Sequence, residues 1–275
     1  VDMHAEGRLD DFIIRRMDIK EATGLLDLSL RGRVSGLPDV RRLSGLFNEV
    51  SIDCGEELLA TLPRVIPGLS SAASRIMENA GMVAVNVKGA FSMDGERARI
   101  SGTAATRQGL VDMDCDMTWH GRQIAGEFMV DTSGFDLASL VENQPVGKLV
   151  ANVEGNVSVP LRDWREAAGT LTAAVPLLTV NNNTLENINA TLNRKGKSLE
   201  VKTSVECALA SLALEGSGMI DGSASALNLA GKIGHLDLAA LGLGSKYVSS
   251  LGIGGINADV HGSNVDNLTG SVRLD

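Results

Sequence analysis

Aromatic residues are scarce in this chain, which has two Trp, one Tyr and five Phe among 275 residues. Large rings therefore cannot carry the core, and packing falls to aliphatic and small side chains. Cysteine is scarce too: Cys54, Cys115 and Cys207 are too few and too scattered for a disulfide framework or a zinc site. Basic residues number 25 against 34 acidic ones, a formal net charge of -9. That balance argues against nucleic acid as a partner. No basic run marks an anionic membrane surface, and no apolar run reaches the ~18 residues needed to span a bilayer. His4, His120, His235 and His261 lie far apart, and none stands at a metal-ligand spacing.

Motifs that carry chemistry are missing as well. There is no phosphate loop, nucleophile elbow, Cys-x-x-Cys or His-Glu-x-x-His. Gly252-Ile253-Gly254-Gly255 lacks the dinucleotide fingerprint spacing, and no serine pairs with a recognisable base. These gaps point away from an enzyme, with no cofactor and no metal expected. The chain carries no signal peptide at Val1, opens in mid-pattern and stops on Val272-Arg273-Leu274-Asp275. Both ends are accordingly expected to be truncated.

What is present is a chain 44% hydrophobic, enough for a large core. Glycine is 31 of 275, about 11% against a usual ~7%. Repetitive β architectures show this combination more often than compact enzymes do. Apolar and polar residues alternate over most of the sequence, which predicts about 18 strands. Leu26, Leu28 and Leu30 share a face, as do Ala98, Ile100 and Gly102 after a hairpin turn at Asp94-Gly95. Val111, Met113, Cys115, Met117 and Trp119 face one way, and Asp112, Asp114 and Asp116 the other. A one-residue slip there would bury three carboxylates, so the register is fixed. The carboxylates read as a solvated face. Pro176 suggests an edge or bulge, and Asn181-Asn182-Asn183 a turn. Strand glycines (Gly32, Gly89, Gly102, Gly155, Gly216, Gly231, Gly262) suggest a sheet that bends at the same height in each strand.

One stretch breaks the alternation. Leu58, Leu59, Leu62, Val65, Ile66, Leu69, Ala73, Ile76 and Met77 follow helical spacing, interrupted by Pro63 and Pro67. This predicts a short helical segment near residues 56–80, packed on an end or open face of the sheet, or plugging a groove. It divides the chain into 1–81, strands plus the helical insertion, and 82–275, a repetitive sheet continuing the same architecture. Pro160 to Ala168, with Trp164, reads as a second insertion, a short helix or a lip.

A unit recurs: a strand, then Asp-(Leu/Val)-x-x-Leu, then a strand. It is clear at Phe135-Asp136-Leu137-Ala138-Ser139-Leu140 and at Leu236-Asp237-Leu238-Ala239-Ala240-Leu241. A degenerate copy stands at Asp39-Val40-Arg41-Arg42-Leu43. The Asp can accept from backbone N–H groups and cap a single helical turn, and the two apolar residues fold that turn back onto the sheet. Recurrence means stacked units sharing a continuous core.

These residues carry a family resemblance. The stretch from Phe135 to Leu140, followed by Val146-Gly147-Lys148-Leu149 and Val153-Glu154-Gly155, resembles TamB repeats of the AsmA-like superfamily, those of the Bacteroides type most of all. Leu227-Asn228-Leu229-Ala230-Gly231-Lys232-Ile233 with Leu236-Asp237-Leu238 is similar. So is the Leu/Pro-rich Leu58 to Pro67 followed by Val85-Asn86-Val87-Lys88-Gly89-Ala90-Phe91. The resemblance covers most of the chain from about Leu25 and is carried by order and spacing. It implies a periplasmic part of an inner-membrane-anchored protein of a Gram-negative bacterium. Its mainly β, elongated and curved antiparallel sheet would form a U-shaped trough. Phospholipid acyl chains would slide along the apolar inside between inner and outer membrane, contributing to outer-membrane biogenesis. It also implies a BamA-like outer-membrane partner, reached through a region outside this sequence.

The residues alone allow an open lining or a filled core, because alternation does not separate the two. The second case would make the chain a non-catalytic periplasmic scaffold or an adhesin-like stalk. For the open case, the candidate lining is Val111, Met113, Cys115, Met117, Leu149, Ala151, Val153, Val157, Leu199, Val201, Leu212, Leu214, Leu227 and Leu229.

Overall fold

A computed structural model describes residues 1–21, 26–39, 42–54, 85–106, 108–138, 146–160, 166–219, 225–242, 250–252, 254–262 and 269–274. The helical segment expected near 56–80, the insertion around Trp164 and the 81/82 boundary lie outside or partly outside these residues.

The described chain is mainly antiparallel β, with seventeen strands in order: β1 (Asp2–Arg8), β2 (Asp11–Lys20), β3 (Leu26–Ser35), β4 (Ser44–Cys54), β5 (Val85–Asp94), β6 (Arg97–Ala105), β7 (Leu110–His120), β8 (Gln123–Asp136), β9 (Val146–Pro160), β10 (Ala168–Val180), β11 (Asn183–Lys195), β12 (Ser198–Glu206), β13 (Ala210–Met219), β14 (Ser225–Asp237), β15 (Ser250–Leu251), β16 (Gly254–Gly262) and β17 (Thr269–Leu274). The fold divides into two compact units. The first is Val1–Trp119 with Val130–Gln144, the second His120–Met129 with Pro145–Asp275.

In the first unit β1 to β7 pair one after another, each antiparallel to its neighbour in sequence. Directly paired residues of an antiparallel ladder project to the same side, so the registers fix rows of side chains across the sheet. One row runs Met3, Met17, Leu30, Val50, Gly89, Gly102, Met113. The next runs Ala5, Ile14, Gly32, Phe47, Phe91, Ile100, Cys115, and a third Gly7, Phe12, Val34, Gly45, Met93, Ala98, Met117. The connection from Cys54 to Val85 leaves and re-enters at paired positions, so β4 and β5 are neighbours despite the long segment between them. The β5–β6 turn is the tight one expected: Asp94 pairs with Arg97, and Gly95 takes φ +55°.

In the second unit β9 to β14 pair in order, and β14 pairs with both the two-residue β15 and β16, which pairs with β17. One apolar row runs Gly155, Leu171, Leu192, Val201, Gly216, Leu229, Ala258, Val272. Another runs Val153, Ala173, Ala190, Thr203, Leu214, Gly231, Ile256, and a third Val157, Gly169, Arg194, Leu199, Gly218, Leu227, Val260, Gly270. Pro176 sits at the expected irregularity, since the β9–β10 register shifts between Ala174 and Leu177. The glycines depart from the expected single bend. Gly155 and Gly216 share a row, but Gly231 lies one row to one side and Gly169, Gly218 and Gly270 one row to the other. Each of these glycines stands where the neighbouring strand comes close.

The Asp turns are built as their chemistry dictates. Asp237 Oδ1 accepts from the Ala240 N–H at 2.9 Å, the Leu241 N–H donates to the Asp237 carbonyl at 3.2 Å, and Leu241 is buried. At the first copy Asp136 Oδ1 accepts from the Ala138 N–H at 3.0 Å. At Asp39 the backbone carbonyl accepts from the Arg42 N–H at 2.9 Å. The Asp237 turn is tied down from the β10–β11 turn, where Asn183 Nδ2 donates to the Ala240 carbonyl at 2.8 Å and Asn181 Nδ2 at 3.3 Å.

Candidate functional site

The feature shared by both units is an apolar face without a covering layer among the described residues. Only six apolar side chains there are buried, Ile14, Ala104, Ala151, Ala210, Ile233 and Leu241, and half of these are alanines. No described side chain of any size is fully buried. A β-sheet packed into a closed two-layer core would bury most of its inward Leu, Ile and Val. Here they stay half-exposed, and Ile100 retains 43% of its accessible surface.

Of the candidate lining residues, Val111, Met113, Cys115 and Met117 stand together on the apolar face of the first unit, opposite Ala104, Gly102, Ile100 and Ala98. Ala151, Val153, Val157, Leu199, Val201, Leu212, Leu214, Leu227 and Leu229 stand on that of the second. Leu149 pairs with Leu178 beyond the Pro176 irregularity. All are half-buried except Ala151, which is buried. Cys115 lies among apolar neighbours. Burial, then the adjacent Asp114 carboxylate, push its thiol pKa up, so it stays a protonated packing residue at neutral pH.

Within the first unit the face dips into a cavity of about 410 Å³, lined by Leu30, Phe47, Val50, Ile52, Phe91, Ile100 and Met113. Its floor is Gly89 opposite Gly102. A Cβ on Gly89 would strike the Ser101 carbonyl and come within 2.7 Å of the Gly102 Cα, so only glycine lets the two backbones meet there. Phe47 and Phe91, paired across strands, stack with centroids 6.1 Å apart and form one wall. A smaller cavity of about 200 Å³ in the second unit is lined by Phe128, Val157, Gly169, Leu171, Leu192 and Arg194 among others. The Phe128 ring lies over Gly155, where an added Cβ would come 3.0 Å from its Cζ.

Sequence reasoning missed the aromatic walls Phe47, Phe91 and Phe128, along with Leu171 and Leu192. Leu192 was legible, since it continues the Ile188, Ala190 alternation. The aromatics were not, because their position depends on which strand lies beside which. Arg194 is the last inward position of β11.

The opposite faces are polar. In the first unit Asp116 pairs with Arg97, Asp114 accepts from Arg99 at 2.9 Å and Asp112 from the Thr103 hydroxyl. Arg33 grips Asp11, Arg16 meets Asp18, and Arg31 reaches Glu49 at 3.2 Å. The three β7 carboxylates expected to be simply solvated thus join a cross-strand ladder, and the Arg97 hydrogen bond holds the Asp116 carboxyl below its ordinary pKa. In the second unit a depression of about 670 Å³ lies on the polar side, with Glu200, Lys202, Glu215, Asp259 and Arg273 on its walls. Its charges are mixed, and Lys202 already pairs with Glu215 at 3.0 Å, so it presents no single sign to a ligand. No group of three or more potential metal ligands occurs among the described residues, and no described helix is long and apolar enough to cross a membrane.

No protein-family model, curated protein or solved structure matches this chain.

Proposed function

We propose that this chain is a non-catalytic, lipid-carrying segment of a TamB-like protein of the AsmA-like kind. Its apolar face would hold phospholipid acyl chains in transit between the inner and outer membranes of a Gram-negative envelope, contributing to outer-membrane biogenesis. The observation that supports the reading is the half-exposure of the inward Leu, Val, Ile and Met side chains in rows up to eight strands long. Acyl chains need shape and an apolar wall, not hydrogen bonds or catalytic groups. Each methylene moved from water onto such a wall gains at most ~0.8 kcal/mol. A contact of many small equal steps holds a chain yet lets it slide.

The test is to purify the protein from bacterial cells, extract it with organic solvent and identify any lipid by mass spectrometry. Phospholipid at a reproducible stoichiometry is expected, and the Met113→Asp and Leu199→Asp variants should lose it. A lipid-free, stable, monodisperse protein would instead favour a scaffold or stalk whose apolar face is filled.

A further inference from the structure

The depression of about 670 Å³ on the polar face of the second unit is built on two neighbouring rows of side chains. Strand registers set Glu200, Ser217, Asn228, Asp259 and Ser271 in one row. They set Lys202, Glu215, Ala230, Asn257 and Arg273 in the next. The hollow has a simple origin. Ser217, Ala230 and Ser271 are short, and they stand among the long side chains of Glu200, Glu215 and Arg273. A second depression of about 210 Å³, with Asn189, Thr191 and Ser204 on its walls, shares Lys202 and Glu215 with the first. Together they cross β11 to β14, β16 and β17, a run of roughly 24 Å at ~4.8 Å between strands.

The chemistry of the walls narrows the occupant. Carboxylates at Glu200, Glu215 and Asp259 outnumber the cations Lys202 and Arg273, which disfavours a polyanion. The backbone groups beneath are engaged in the ladders joining β12, β13, β14 and β16, so a peptide strand finds no edge to extend there. Hydroxyl groups fit the mixture, because each both donates and accepts. Carboxylates take their protons, Lys and Arg donate to their oxygens, and Asn does both. Existing ion pairs leave room for them. Lys202 has three N–H donors and meets Glu215 at 3.0 Å, and His261 meets Asp259 at Oδ1, 3.1 Å away. The exposed Ala230 methyl gives a sugar ring's C–H face a small apolar seat. From these rows we infer that the polar hollow of the second unit binds an uncharged linear oligosaccharide laid across the strands. The apolar rows lie on the other side of the same strands, so sugar binding is independent of the lipid-carrying reading.

The experiment is an NMR titration of the whole isotope-labelled chain with cellotetraose, maltotetraose and tetra-N-acetylchitotetraose. At least one of these sugars should shift backbone amide signals of β12 to β14 and β16, with a Kd of about 1 mM or tighter. Asn228→Ala and Ser217→Ala should each weaken that binding about fivefold, the size of one hydrogen bond. Both side chains are exposed, so the thermal melt should stay unchanged. Silence from all three sugars would overturn the inference. Binding left untouched by both variants, or shifts confined to the first unit, would overturn it as well. Tighter binding of tetraglycine, which brings one charge of each sign, would overturn it in favour of a zwitterionic ligand.

Discussion

The two units have the same construction and different materials. The apolar face of the first carries Met3, Met17, Met93, Met113 and Met117 with Phe12, Phe47 and Phe91, whereas that of the second is laid mainly with Leu, Val, Ala and Gly, with Phe128 over Gly155. Met adapts its shape to irregular neighbours, and the first unit holds the larger of these two apolar cavities. The polar faces differ as well. Cross-strand Arg–Asp pairs lace the first, and the second relies more on Asn, Ser and Thr, with Asn181 and Asn183 clamping the Asp237 turn. Charge pairs across strands penalise a slipped register, because a shift sets like charges opposite one another. In the second unit such contacts are the cross-strand Lys202–Glu215 pair and the Thr203 hydroxyl on the Asn189 carbonyl.

The comparison breaks most visibly at the glycine floors. Gly102→Val should destabilise the protein by about 3 kcal/mol in urea unfolding, since the new Cβ meets the Lys88 carbonyl and the Gly89 Cα. Gly169→Val should cost as much in the second unit, where the obstacle is the Asn156 carbonyl. Gly252→Ala, with nothing within 4 Å, should stay within about 0.5 kcal/mol. If Gly102→Val folds with wild-type stability, the close approach of β5 and β6 is wrong.

Truncations on the apolar face sharpen the question of openness. Ile233→Ala, at 5% exposure, should cost about 3 kcal/mol. Ile100→Ala, at 43% exposure, should cost well under half of that. Equal costs would mean that something covers the first unit's face.

The smallest effects concern charge. Arg97→Ala should lower the urea midpoint at low ionic strength, by an amount that shrinks as salt rises. The Lys202→Ala variant in the second unit tests whether a ladder outweighs a single exposed pair. Glu6, Asp11, Asp18 and Asp116 titrate below their ordinary values. The largest causes are hydrogen bonds from Arg15 to Glu6, Arg33 to Asp11, Ser29 to Asp18 and Arg97 to Asp116. A folded pKa below the unfolded one adds stability that is complete above the ordinary carboxylate range and is lost as pH falls through the depressed values. Acid unfolding of the first unit should therefore begin below about pH 4. An Asp11→Asn/Asp116→Asn variant should show a flatter acid limb in a pH series of thermal melts.

Strand positions and phases were legible because alternation is a local property. The run from Val111 to Trp119 announces both faces of β7 without help from any other strand. The capping role of Asp136 and Asp237 was legible for the same reason, since donor and acceptor are neighbours in sequence. Register was not. Nothing in Asp114 or Arg99 alone says that they meet, and the β7 carboxylates looked merely hydrated until β6 was laid beside them. The same holds at the candidate site. Val201 and Leu229 could be nominated from their own strands, but the cavity walls Phe47 and Phe91 come together only through the β4–β5 pairing across a long insertion.

Within each unit the described ladders join strands consecutive in the chain, except that β14 also pairs with β16, passing over the two-residue strand β15. Most strands therefore find their template in the one just before them, and the long step is from β4 to β5, which pair across the segment between Cys54 and Val85. Closing the tight turns is entropically cheap and a longer connection adds to the cost only slowly, and stability accrues from nearest-neighbour terms much as in a stacked repeat. A sheet of this kind can assemble in the direction of synthesis, adding one strand at a time to a growing edge. Extending the protein by further strands would lengthen it without changing the difficulty of folding any part.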